Sequence, residues 1–181
     1  VGYLLDPEND AGSDGITGIE AVINYNGEAT DPFAGSNVLD GWGYTDTLDN
    51  ITGIEGSAFN DSITFNISNS NNKWFHISSG DGADTITGTS GENVAAMYED
   101  DPENADTGDG VTGVAIDLAN NTATDGWGNT DVLNNISIVS GSDYNDAIAG
   151  SDNDDGFIGS LGDDTINGQL GGDWLSYGWH D

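Results

Sequence analysis

The sequence predicts an all-β chain built from two tandem copies of one unit, and three observations carry that expectation. Apolar residues alternate with a period of two, not the helical period of about 3.6. A 22-residue block, "DGWGYTDTLDNITGIEGSAFND" at 40–61, returns as "DGWGNTDVLNNISIVSGSDYND" at 125–146, an offset of 85. A nine-residue pattern with Gly first, Asp sixth and an apolar residue eighth runs through the C-terminal part.

The alternation is clear in short segments. Ile19, Ala21, Ile23 and Tyr25 alternate in "IEAVINYN", as do Val114, Ile116 and Leu118 in "VAIDLANN", and Ile136 and Ile138 in "NISIVSG". Gly, Asn, Asp and Ser separate these segments, the chemistry of tight turns. With 28 Gly and no sustained helical stripe, short strands joined by turns are expected throughout.

The duplication extends upstream, where "DPENDAGSDGITGI" (6–19) matches "DPENADTGDGVTGV" (101–114) at an offset of 95. The change of offset places a ten-residue insertion near "PFAGSNVLDG" (32–41) of the first copy. We divide the chain into a first unit at 1–97, a second at 98–176 and the start of a third at 177–181. Tyr3, Tyr98 and Tyr177 mark the three starts, and with Val1 in place of an initiator Met the chain is expected to be a piece of a longer tandem array.

Four nonapeptides adjoin in phase: 141–149, 150–158, 159–167 and 168–176. Their first residues are Gly141, Gly150, Gly159 and Gly168, and their sixth are Asp146, Asp155, Asp164 and Asp173. Ile148, Phe157, Ile166 and Leu175 stand eighth. The first copy carries "GSAFNDSIT" (56–64) with Gly56 and Asp61, and "SGDGADTIT" (79–87) with Gly80, Gly82 and Asp84. "GTSGENVAA" (88–96) follows, with Asn93 where the Asp belongs. Six residues rich in Gly, Asn and Asp make a turn, and three more make a short strand whose central side chain points inward. Two such units complete one coil of a flattened solenoid, so the sixth-position carboxylates stack along each edge.

Stacked carboxylates need cations, and the chain supplies almost none. Thirty-three acids face one base, Lys73, for a formal charge of −32. Nucleic acid and anionic membrane surfaces are excluded as partners, because both are bound through Lys and Arg. Without Cys, disulfides and thiolate metal sites are excluded, and no apolar run is long enough to span a bilayer. Adaptation to salty surroundings is the plain alternative reading of the acidity.

Calcium fits the donor set best, since it takes six to eight oxygen ligands in tolerant geometry. The expected ligand positions are Asp61, Asp84, Asp146, Asp155, Asp164 and Asp173, in turns opened by Gly56, Gly80, Gly82, Gly141, Gly150, Gly159, Gly162 and Gly171. Magnesium insists on a tight octahedron, and zinc would have only His76 and His180. A site at tenfold its dissociation constant contributes about 1.4 kcal/mol, so six would give roughly 8, comparable with a whole domain's stability. Six ions would also lower the net charge from −32 to about −20.

These nonapeptides resemble the G-G-x-G-x-D-x-U-x repeat of RTX proteins, and 113–151 resembles the spacer-plus-repeat unit of large secreted RTX-type bacterial proteins. The resemblance implies a right-handed parallel β-roll, type I secretion, and folding outside the cell on meeting calcium. Two departures stand out. Position two is mostly Ser, and among the repeats with Asp sixth position four is Gly only at Gly82, Gly162 and Gly171. The stretch 65–78 fits the register poorly and is expected to break or bulge the roll.

Other features weigh less. "DAGSDGITGIEA" (10–21) opens like an EF-hand loop but ends on Ala21 where an acid should close it. Trp42 and Trp127 hold equivalent places in "DGWG"; capping of the interior is the favoured expectation, stacking on a sugar the alternative. Asp46 and Asp131 are further candidate ligands whose spacing carries an extra residue. Lys73, Trp74, Phe75 and His76 form one cationic-aromatic cluster, read as local packing. No enzyme is expected: Arg is absent and neither His lies in a nucleophile motif. The expected function is an extracellular calcium-binding structural repeat of an adhesin, surface-layer or filament protein. A carbohydrate-binding accessory module of a secreted enzyme is the alternative. The candidate partners are calcium, neighbouring copies of the chain, or a surface glycan.

Overall fold

A computed structural model of the chain describes residues 18–27, 30–104 and 110–177. These residues form strands and turns without a helix. The first copy contributes β1 (Glu20–Tyr25), β2 (Asn37–Leu39), β3 (Thr45–Thr47), β4 (Gly53–Glu55), β5 (Ser62–Ile67), β6 (Phe75–Ser78), β7 (Thr85–Thr87) and β8 (Val94–Ala96). The second contributes β9 (Ala115–Asp117), β10 (Thr122–Thr124), β11 (Thr130–Asn134), β12 (Ile138–Ser140), β13 (Ala147–Ala149), β14 (Gly156–Ile158), β15 (Thr165–Asn167) and β16 (Trp174–Ser176). The nonapeptide strands other than β5 have the expected three residues, and in β7 and β13 only the central one is buried.

Two sheets result. Ten strands lie in the order β15-β13-β9-β10-β11-β7-β5-β1-β2-β3, and six in the order β16-β14-β12-β8-β6-β4. From β4 to β8, and again from β12 to β16, consecutive strands alternate between the sheets. The six-stranded sheet is parallel throughout. The larger sheet is not. β1, β2 and β3 pair antiparallel, as do β9, β10 and β11. The tight turns at 40–44, 118–121 and 125–129 cannot return the chain parallel to itself, whereas β1 and β2 are joined through the longer segment 26–36.

The register lines up one inward residue per strand. Ile54, Ile77, Ala96, Val139, Phe157 and Leu175 succeed one another across the small sheet. Ile63, Ile86 and Leu133 do so in the large one, as do Ile116, Ile148 and Ile166. All but Leu175 join a single apolar core between the sheets. Each fully buried side chain contributes roughly 1.5–3 kcal/mol.

Three expectations need amending. The insertion of the first copy lies at 23–36, against 118–121 in the second, since β2 is the counterpart of β10. Phe33, within it, closes on Tyr25 at 5.0 Å. The stretch 65–78 does not interrupt the sheets: β5 lengthens to carry Phe65 and Ile67 inward, and Phe75 packs on Phe65 at 5.6 Å. "GTSGENVAA" is shifted by one residue, with Ala96, not Ala95, in the inward row. Ala95 instead meets Ile138 and Ile158 on the other face. A one-residue shift exchanges the faces of a strand, so Asn93 falls outside the sixth-position geometry.

Candidate metal centres

Each sixth-position Asp stands just before its strand, and all but Asp155 place a carboxylate oxygen on a backbone N–H of the neighbouring strand or its entry. Asp84 accepts from the Asp61 N–H at 2.8 Å, and Asp131 accepts from the Asp84 N–H at 2.9 Å. Asp61 in turn accepts from the Ile19 N–H at 2.6 Å. In the second copy Asp146 accepts from Val114 and Asp164 from Asp146. Along the small sheet Asp173 accepts from the Asp155 N–H at 3.0 Å. Carboxylates therefore succeed one another along the large sheet, with backbone N–H groups linking them, and along the small sheet as the single pair Asp155 and Asp173.

The Ser at position two explains one departure from the RTX pattern. Ser57 gives both its N–H and its hydroxyl to Asp61, and Ser142 does the same to Asp146. Ser151 gives both to a single oxygen, Oδ2 of Asp155. These Ser hydroxyls also accept an N–H two residues on, closing the turn internally. Asp61 and Asp146 thus have both oxygens engaged. Asp84, whose turn has Gly80 in place of Ser, keeps Oδ2 buried without a hydrogen bond, and Ser79 faces it without completing one. Asp155 Oδ1 and Ser160 Oγ are buried without a partner too.

The glycines make this stacking possible. A side chain at Gly56, Gly141 or Gly150 would run into the carboxylate of its own turn, and one at Gly159 into the Tyr177 ring. Gly80 and Gly82 press on the backbone at Ser57 and Phe59. Gly162 and Gly171 adopt φ of 106° and 115° against the backbone of Tyr144 and Asn153, a conformation and a proximity that a side chain would oppose.

Burial pushes these carboxyl groups up. Asp84 rises to about 8, chiefly by desolvation, with Asp131 and Asp61 adding charge. Desolvation raises Asp61 and Asp146 to about 6 against the bonds from Ser57 and Ser142. Asp131 and Asp101 rise to about 7 for the same leading reason, and Asp125 and Asp164 also shift upward. Buried carboxylates of one sign at pH 7 must bind protons or a cation. Among the described residues no three His, Asp or Glu side chains converge on one point.

Asp131 takes a full place in the ladder, fully buried and bonded to the Tyr98 hydroxyl at 2.9 Å. The legible signal was an Asp two residues before an inward apolar one, Leu133, whatever the spacing to the next turn. Asp101 and Asp125 escaped notice. Asp101 accepts the Gly126 N–H, and Asp125 accepts the N–H groups of Trp127 and Asn129 across the "DGWG" turn. Asp40 plays that part for Trp42 and Tyr44. Trp42 and Trp127 are 40% and 44% exposed on these turns, so neither caps the interior as expected. Lys73 lies 5.9 Å over the Tyr25 ring and Phe75 is buried, in keeping with local packing. Most of the EF-hand-like loop lies outside the described residues. Comparison with protein-family models and with curated proteins finds no match to this chain.

Proposed function

We propose that the chain is an extracellular, RTX-type calcium-binding structural repeat, a right-handed parallel β-roll punctuated by antiparallel meanders. It folds on calcium and serves as a rigid segment of a bacterial adhesin, surface-layer or filament protein. One observation carries the reading: one carboxylate oxygen each of Asp84 and Asp155 is buried without a completed hydrogen bond, in a chain of net charge −32. A cation relieves both the orphaned oxygen and the repulsion between rungs. Calcium suits the turns because it takes oxygen ligands and the geometry it accepts is loose. Asp84 and Asp155 hold the ions most firmly, Asp164 and Asp173 extend the ladders, and Asp61 and Asp146 act mainly as turn caps. The test is calorimetric titration of the metal-free chain with calcium. Several ions per chain are expected, with fewer bound by Asp84→Asn and by Asp155→Asn. Stoichiometric binding unchanged in both variants would refute the assignment.

Trp42 and Trp127 favour a second reading, a carbohydrate-binding module. They stand exposed at equivalent turns, where an indole can stack on a sugar ring. Glycan-array binding lost in Trp42→Ala and Trp127→Ala, with the fold intact, would support it.

A further inference from the structure

The two copies share their inward rows but fill one corner of the fold differently. In the first copy an aromatic cluster occupies it. Tyr25 packs on Phe33 at 5.0 Å and on Phe75 at 5.3 Å, and Phe75 on Phe65 at 5.6 Å, all four rings buried. β1 and β5 run to six residues each and carry Tyr25 and Phe65 into place. In the second copy β9 and β13 stop at three residues, and the turn 118–121 replaces the insertion that supplies Phe33. Gly150 stands where Phe65 does, at the offset of 85. Asp155 stands where Phe75 does, because Gly156 pairs with Ile138 as His76 pairs with Gly53.

That corner of the second copy is a cavity of about 580 Å³, walled by the turns at 118–121, 135–137 and 151–155 and by Ser90 and Gly91 of the first copy. The volume lies within the about 300–1,000 Å³ usual for ligand pockets. Asp155 lines it with 1% of its surface exposed. Its Oδ2 takes both bonds from Ser151, and its Oδ1 is buried without a hydrogen bond. An aromatic packing position given to a carboxylate with an oxygen left over costs stability, so the exchange serves something other than packing. A calcium ion at Asp155 fills a small part of such a volume, and a carboxylate oxygen has a second lone pair for a donor. The amides of Asn121, Asn135 and Asn153 on the same walls both donate and accept, and Leu118 and Ile136 add an apolar edge. Sugar hydroxyls meet both senses of hydrogen bond, and the C–H face of a pyranose ring suits the edge. Asp152 and Asp154 also line the cavity and no described lining residue is basic, which repels an anionic ligand.

We propose that this cavity binds a neutral saccharide, one ring hydroxyl donating to Oδ1 of Asp155 and others meeting the amides of Asn121, Asn135 and Asn153. The site stands apart from the exposed tryptophan turns, and the sugar needs no coordination to calcium.

Proton–nitrogen correlation NMR of the labelled intact chain tests this, at constant saturating calcium and physiological salt, where the dispersion of the spectrum also shows that the chain is folded. The probes are the methyl glycosides of glucose, galactose and mannose, with glucuronate as the anionic control and glucosamine as the cationic one. At least one glycoside is expected to shift the amides of the 118–121, 135–137 and 151–155 turns, half-saturating at about 1 mM or below. Glucuronate is expected to shift none of them. Asn121 and Asn135 adopt φ of 57° and 54°, so Asn121→Gly combined with Asn135→Gly removes both amides and keeps the backbone. That double variant is expected to raise the dissociation constant at least about tenfold, whereas Trp42→Ala and Trp127→Ala leave it unchanged. Asn153→Ala replaces the double variant if the latter unfolds. No shift with any glycoside, shifts centred on the "DGWG" turns, an equal response to glucuronate, or a response to glucosamine alone overturns the proposal. An unaltered constant in the variants that lack the amides overturns it as well. Calorimetric uptake of calcium by the same chain shows separately whether the calcium reading stands.

Discussion

Asp84→Asn separates the burial of a carboxylate from its use as a ligand. Folding lifts the Asp84 carboxyl from 3.8 to about 8, with desolvation as the leading cause. Between those values the folded chain binds one proton more than the unfolded chain. The group's contribution to stability is therefore complete below the unfolded value and is lost as pH rises towards the folded one. The loss is about 1.4 kcal/mol per pH unit, hence about 2.7 kcal/mol from pH 5 to pH 7. Asp101 and Asp131 act in the same direction up to about 7, and Asp61 and Asp146 up to about 6. The metal-free wild type is thus expected to weaken steadily over this range. Asn keeps an acceptor for the Asp61 N–H but cannot ionise, so the variant's slope should be shallower by about 1.4 kcal/mol per unit. With saturating calcium the order reverses, because the wild type gains an ion that the variant binds poorly. Urea unfolding in metal-free buffer from pH 5 upwards, as far as the metal-free chain still folds, followed by tryptophan fluorescence, measures both slopes. A metal-free wild type that strengthens from pH 5 to 7, or an unaltered slope in the variant, would refute the reasoning.

Three further outcomes are expected. Tyr98→Phe leaves an Asp131 oxygen buried without its donor, and urea unfolding should show a loss of about 1–3 kcal/mol. Gly162→Ala puts a side chain at φ 106° against the Tyr144 backbone, and should cost more than about 1 kcal/mol in the same assay. Trp42→Ala and Trp127→Ala remove exposed side chains from turns held by Asp40 and Asp125. Each should change stability by less than about 0.5 kcal/mol, so any larger loss read by chemical unfolding would mean that the indole packs on the body of the protein.

The strands were legible wherever an Asp stood two residues before an apolar side chain, because that spacing places the carboxylate at the strand's entry and the apolar group inside. Asp61–Ile63, Asp84–Ile86 and Asp146–Ile148 all obey it. The duplication located the meanders but not their antiparallel pairing, which outside the β1–β2 connection depends on turns too short for a parallel return. The shift at Ala96 was invisible, since Val94, Ala95 and Ala96 are all apolar and only the partner strand selects which face turns inward. The turn caps were half legible. Ser at position two read as a departure from the RTX pattern, when its hydroxyl is the group that holds the carboxylate in Asp61, Asp146 and Asp155. Asp101 and Asp125 were hidden because their partners are backbone N–H groups of the "DGWG" turn, outside the nonapeptides.

The most direct test of the central claim is a circular dichroism titration of chelator-treated chain at neutral pH with calcium, and with magnesium as the control. The account predicts a cooperative gain of β signal with calcium alone. A chain already fully folded in chelator, with the same unfolding midpoint after calcium is added, would contradict it and leave the acidity as an adaptation to salt.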